Sequence, residues 1–310
     1  MPTTGGNHIV ITGSSFGPVG ASTFSNDAGS DTYVKYGPVT GLEFSAQNCT
    51  VTVTQSKIEC VTAPGVGNAL LWRVSISGRV SEPLTVQDSG YTVPHITDVS
   101  HSLLPTSGKP NVGEMLIING TNFGEASEQF EPSIMLSGDY GTPNGVNCMV
   151  TIAHTQIQCV SIEPAVGTSF KWRVMIGYQV SGFYENAMLD FKPPSVTAIR
   201  GPGASDCPTT GGLRVIIMGD NFGPSGTNSE FVSVSYALPA RAPFVGESCE
   251  VISFTEIQCL MPPGTGENHV WEVLLAGQRS NALQSNTGYG APVGKLLILG
   301  VYYEVSVSIV

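Results

Sequence analysis

Short alternating runs of apolar and polar residues, interrupted by glycine and proline, set the pattern of this chain. His8-Ile9-Val10-Ile11-Thr12 alternates and leads into a glycine turn, Gly13-Ser14-Ser15-Phe16-Gly17. Residues 25–36 read as a polar loop and 39–44 as a weak strand. Cys49-Thr50-Val51-Thr52-Val53-Thr54 keeps a strict period of two, as a half-buried strand does, and Lys57-Ile58-Glu59-Cys60 is its short partner. Ala63-Pro64-Gly65 turns the chain into 70–76, the strongest strand of the region, with Trp72 at its centre; residues 80–93 close the unit. No stretch carries a helical period.

The pattern then repeats. GGNHIVITGSSFG (5–17) returns as GEMLIINGTNFG (113–124) and as GGLRVIIMGDNFG (211–223). Phe16, Phe123 and Phe222 stand 107 and 99 residues apart; Trp72, Trp172 and Trp271 stand 100 and 99 apart. A period of that size is one domain rather than a short solenoid repeat. The expected units are 1–93, 94–193 and 194–290, followed by an extension, 291–310. The second and third units open on a Pro-x-[IV]-x-x-[VI] strand, at Pro94 and Pro194. The first has none ahead of its glycine turn, because Met1-Pro2-Thr3-Thr4-Gly5-Gly6 aligns with Cys207-Pro208-Thr209-Thr210-Gly211-Gly212. The extension shows the reverse. Val301, Tyr303, Val305, Val307 and Ile309 share one face of an alternating run, with Tyr302, Glu304, Ser306 and Ser308 on the other, and this strand is expected to have no partner left in its own chain.

Composition narrows the function classes. With 37 Gly, 21 Pro and 12% charged residues the chain suits short strands and many turns. Its net charge of −11 opposes binding to nucleic-acid phosphates, and no basic patch or uninterrupted apolar span suggests membrane insertion. Cys49/Cys60, Cys148/Cys159 and Cys249/Cys259 lie 11, 11 and 10 residues apart at one place in each repeat, whereas the five histidines share no position. That arrangement disfavours zinc and points to three local disulfides in an extracellular or cell-surface protein; the alternative is buried free thiols. Cys207 is left over, either buried or paired between molecules. No metal or other cofactor is expected. Asp27 and Asp31 lack the ligand spacing of a calcium loop. Asn119-Gly120-Thr121 and Asn48-Cys49-Thr50 are N-glycosylation sequons, and the Ser/Thr-rich loops would admit O-linked sugar. Residues 13–17 match G-x-S-x-G, but no helix follows, and Asn122 and Asn221 replace Ser15 in the other repeats, so no catalytic residue is expected.

The repeat resembles the IPT/TIG family of immunoglobulin-like domains found in plexins, related receptors and some transcription factors. The residues carrying the resemblance are Ile11–Gly17, Ile58-Glu59-Cys60 with Pro64-Gly65, and Trp72-Arg73-Val74, together with their counterparts at 119–124, 157–164 and 172–174 and at 218–223, 257–264 and 271–273. The resemblance implies an all-β fold of three tandem antiparallel sandwiches. The cysteines are too close in sequence for the inter-sheet bridge of antibody domains and act as hairpin staples instead. The acidity disfavours the DNA binding known for some members of the family. Two functions are expected. In the first, the chain is the protomer of a head-to-tail homopolymer, in which residues 301–310 complete the first unit of the next copy. In the alternative, it is a fragment of an adhesion or receptor ectodomain that meets a protein ligand.

Overall fold

A computed structural model describes residues 1–20, 23–27, 29–86, 88–101, 103–109, 115–238, 241–296 and 305–308. The described residues are almost entirely β; six of their seven sheets fall into three facing pairs along the chain, and the seventh is a two-stranded sheet at the C-terminal end. In the first pair, His8–Thr12, Lys57–Val61 and Gln47–Val53 lie in that order. They face Phe44–Ser45, Tyr33–Gly37, Leu71–Ile76 and Arg79–Val80, with Leu84–Thr85 also on Leu71–Ile76. The second pair sets Gly145–Ile152, Gln156–Ile162, Leu116–Thr121 and His95–Val99 against Leu103–Leu104, Tyr184–Phe191, Phe170–Ile176 and Ser133–Ser137. The third sets Ser195–Arg200, Arg214–Asp220, Glu256–Leu260 and Glu247–Ser253 against Phe244–Val245, Val232–Ala237, Val270–Leu275 and Gln278–Arg279. The inward residues of each pair form one core, with Trp72, Trp172 and Trp271 at matching places. This is the immunoglobulin-like sandwich architecture.

Local chemistry explains the strand order. Ser15, Asn122 and Asn221 hold φ of 64°, 64° and 60°, the left-handed corner that lets Phe16, Phe123 and Phe222 fold under the sheet. Asn tolerates that region better than most residues. Gly120 and Gly219 are required by crowding: a Cβ there would meet the backbone of the unit's first strand, at His95 and Ser195, and the ring of Phe123 or Phe222. At Gly13 it would meet only the Phe16 ring.

Two sequence expectations are corrected. Residues 25–36 are not one loop: Tyr33–Gly37 is an inner strand, with Val34 and Tyr36 buried and Tyr36 stacked on Trp72 at 4.1 Å. The apolar positions Val39 and Leu42, which suggested a strand, are exposed on the turn that follows. The extension also departs from its expected lack of a partner. Val305–Ser308, which contains Val305 and Val307, pairs antiparallel with Val293–Leu296 of the same chain. An open strand leaves its backbone donors and acceptors unsatisfied, and the nearest strand in sequence closes with it at the smallest entropic cost. Val301, Tyr303 and Ile309 lie outside the described residues.

The sandwiches meet through joints of one design. Val66, on the turn after Lys57–Val61, enters the second core, and Val166 enters the third from the matching turn. Gln179 accepts the Gly67 N–H at 3.0 Å and donates to the Tyr91 carbonyl at 2.8 Å. Gln278 repeats the second contact on the Phe191 carbonyl at 2.8 Å. Phe44 stacks on Phe130 at the first joint, and Tyr140 meets Phe231 edge-on at the second.

Candidate strand-accepting edge

In the second and third sandwiches the first strand divides its pairing between the two sheets. Its opening half, His95–Val99 or Ser195–Arg200, lies antiparallel on the strand that leads into the glycine turn. Its later half, Leu103–Leu104 or Cys207, runs parallel to the last strand, at Asp190–Phe191 or Tyr289. The first sandwich shows the later half: Met1 accepts the Thr92 N–H at 2.7 Å, and Met1 packs against the core. The counterpart of the opening half is the outer edge of His8–Thr12, which stands at the end of its sheet.

The consequence appears in the side chains. Ile9 and Ile11 pair across to Cys60 and Ile58, as Leu116 and Ile118 pair to Cys159 and Ile157, and as Val215 and Ile217 pair to Cys259 and Ile257. The four counterparts are 0% exposed, while Ile9 and Ile11 are only half-buried. Trp72 is 9% exposed where Trp172 and Trp271 are 0%. Beside this edge a groove of about 480 Å³ is lined by Met1, Ile9, Ile11, Trp72, Leu84 and Val86 among others. Leu84 and Val86 project into solvent. An apolar floor beside a row of backbone donors and acceptors that no described residue pairs is the chemistry that an added strand satisfies.

Trp72 of the floor stacks on Tyr36, which is itself tied into a tyrosine pair. The Tyr36 and Tyr91 hydroxyls lie 2.8 Å apart; Tyr36 accepts the Ala63 N–H at 2.8 Å, and Tyr91 donates to the Ala63 carbonyl at 2.7 Å. Burial pushes both phenols up, Tyr91 the further because Tyr36 lies against it. Tyr236 and Tyr289 make the same pair in the third sandwich, over the Pro262 carbonyl. Both pairs are therefore neutral structural clamps rather than acid–base groups near neutral pH.

Sequence comparison assigns the third unit. The IPT/TIG domain family matches residues 194–289. Residues 194–289 form an IPT/TIG domain. No curated protein matches the chain. Among solved structures, the plexin A4 full extracellular region is similar at 14% identity and a TM-score of 0.29, over 90% of this chain and 21% of that one. The chicken CNTN1 FN1–FN3 domains give 12% identity and 0.23, over 88% and 99%. The N-terminal eight Ig domains of DSCAM isoform 1.30.30 give 11% identity and 0.24, over 94% and 36%. The chain thus spans about a fifth of the plexin A4 region. The IPT/TIG domain at 194–289 provides the reference for a covered edge, with Ser195–Arg200 seated on Arg214–Asp220.

The remaining sequence candidates fall outside the groove. Cys49–Cys60, Cys148–Cys159 and Cys249–Cys259 are bonded, each joining two adjacent strands, with Cα atoms 4.1, 4.0 and 4.1 Å apart. Ser15 is exposed on its turn. Asp27 accepts the Ser25 hydroxyl at 2.8 Å and Asp31 the Thr32 hydroxyl at 3.1 Å, bonds internal to the loop. Among the described residues no cluster of metal-ligating side chains occurs, and no helix is long and apolar enough to cross a membrane. Cys207 of the IPT/TIG domain is fully buried where the first sandwich has Met1, and burial pushes its thiol up against a smaller opposing effect of the Leu213 backbone. It is expected to resist a thiol reagent in the native protein and to react stoichiometrically in denaturant, as read by mass shift; labelling of native protein would contradict its burial.

Proposed function

We propose that the chain is an extracellular, non-enzymatic array of three IPT/TIG-type sandwiches of the adhesion or receptor kind, divided at 1–93, 94–193 and 194–290. Its first sandwich binds a protein partner by strand addition. The three stapling disulfides support an oxidising compartment. The observation that carries the binding role is the apolar groove beside the His8–Thr12 edge, which among the described residues carries no strand on its outer side, whereas the equivalent edges of the other two sandwiches do. The occupant fits as an extended segment with apolar residues three apart, like Ile96 and Val99, which are buried on the second sandwich. The groove is already formed, so the ordering cost of association falls mainly on the peptide.

The test is a synthetic peptide of residues 94–101, titrated against the chain while amide exchange is followed across residues 8–12. Saturable slowing of exchange at 8–12, lost in Ile11→Asp, is the expected result. No protection at millimolar peptide would overturn the reading.

A second reading makes the partner another copy of this chain, with residues 301–310 as the donor strand of a head-to-tail fibre. It is favoured by the position of Val305–Ser308 beyond the third sandwich, where Val293 is 83% exposed, and it requires the pairing with Val293–Leu296 to open or to add as a two-stranded unit. Light scattering separates the readings. Polymers of the full chain that become monomers when residues 300–310 are deleted support the fibre; monomers in both cases sink it and leave the binding edge standing.

A further inference from the structure

The two sequons occupy opposite structural settings. Asn48 lies in a bulge, where the register of Gln47–Val53 on Lys57–Val61 shifts between Gln47 and Thr50. Asn48, Asn147 and Ser248 hold φ of 50°, 50° and 49° at the same place in the three sandwiches, and the register also shifts between Glu247 and Glu250, so the left-handed residue ahead of the cysteine is a feature of the fold. It turns Cys49 inward to its disulfide and leaves Asn48 and Thr50 exposed. Only the first sandwich has a hydroxyl residue two positions on, because Met149 and Glu250 stand where Thr50 does.

Asn119 is placed differently. It lies within Leu116–Thr121 with strands on both sides. Its side-chain carbonyl accepts from Gln156 at 3.2 Å, and its amide reaches the Asp98 carboxylate at 3.5 Å. The next residue, Gly120, is fixed beneath the His95 backbone and the Phe123 ring. A sugar on Asn119 would break these contacts and crowd the neighbouring strand.

We propose that Asn48 is an N-glycosylation site and that Asn119 is not. This rests on the extracellular reading given above. In the transfer, the Asn48 Nδ2 bonds to the anomeric carbon of a lipid-pyrophosphate-linked oligosaccharide; the pyrophosphate–sugar bond breaks, and the amide gives up one proton. The glycan then stands on Gln47–Val53, at the opposite end of the sheet from His8–Thr12. It would shield that edge from adventitious pairing and leave the strand-accepting edge open.

The experiment expresses the full chain with a secretory leader in a eukaryotic host and reads endoglycosidase sensitivity and the mass of the tryptic peptide carrying residue 48. Wild type is expected to lose one discrete gel step on deglycosylation. Asn48→Gln and Thr50→Ala should lack that step, and Asn119→Gln should keep it. If a variant is not secreted, its intracellular pool is read in the same way. A secreted wild type without sugar on residue 48, or with sugar on residue 119, overturns the assignment while leaving the extracellular reading intact. A wild type retained and unbridged at all three cysteine pairs would instead count against the extracellular reading.

Discussion

Trp172→Ala is expected to destabilise the second sandwich by about 3–5 kcal/mol, the cost of removing a fully buried indole from a close-packed core. The ring is 0% exposed, and its Nε1 donates to the Ala187 carbonyl at 2.8 Å, so the substitution leaves both a cavity and an unpaired acceptor. A domain of this size is stable by about 5–15 kcal/mol in all, so the loss is a large share. Trp271→Ala should behave alike, because its Nε1 donates to the buried Thr287 hydroxyl at 2.7 Å. Trp72→Ala should cost less in stability, because that ring borders the open groove, and should abolish capture of the 94–101 peptide. Calorimetry of the three single variants checks the ranking. An equal loss at all three positions would show that the first sandwich is as closed as the others.

The strands, the tryptophans and the cysteine pairs were legible in the sequence because each is governed by a short-range rule. Cys49-Thr50-Val51 alternates because one face of its strand is buried, and the separation of Cys49 and Cys60 matches two strands joined by a tight turn. The inner strand Tyr33–Gly37 was hidden by the polar loop before it and by the exposed Val39 and Leu42 after it; with Lys35 at its centre, its alternation is too short to stand out from its flanks. The outer edge of His8–Thr12 was half legible. Alignment of Met1 with Cys207 exposed the asymmetry of the first repeat, but the groove depends on Leu84 and Val86, which nothing in their local sequence marks. The partner of Val305–Ser308 was missed because 293–296, Val-Gly-Lys-Leu, carries no clear alternation of its own. The ranking of the sequons was also beyond a linear reading, since the bulge at Asn48 and the contacts of Asn119 with Asp98 and Gln156 are set by strand register.

The joints were wholly invisible in the sequence, and they carry the other large effect. Val166 is 4% exposed and belongs to the core of the next sandwich, where its Cγ1 fills the space beside Gly223. Val166→Asp would place an unpaired carboxylate in that core, a change on the order of 4 kcal/mol if the joint stayed shut. The two sandwiches have an escape, because each keeps its own core when they part. The joint is therefore expected to open, forfeiting the Gln278–Phe191 and Tyr140–Phe231 contacts with it. The measurable outcome is a change of shape more than of melting: small-angle scattering should show a broader distribution of long interatomic distances, with each disulfide still formed. Val66→Asp should do the same at the first joint, where Gln179 holds Gly67 and the Tyr91 carbonyl together. Two joints of the same construction are expected to hold the three sandwiches in a fixed relation, which under the proposed function would fix where the His8–Thr12 edge is presented. Scattering curves of Val166→Asp that superpose on wild type would show that the sandwiches already move independently, and the edge would then be presented on a flexible chain.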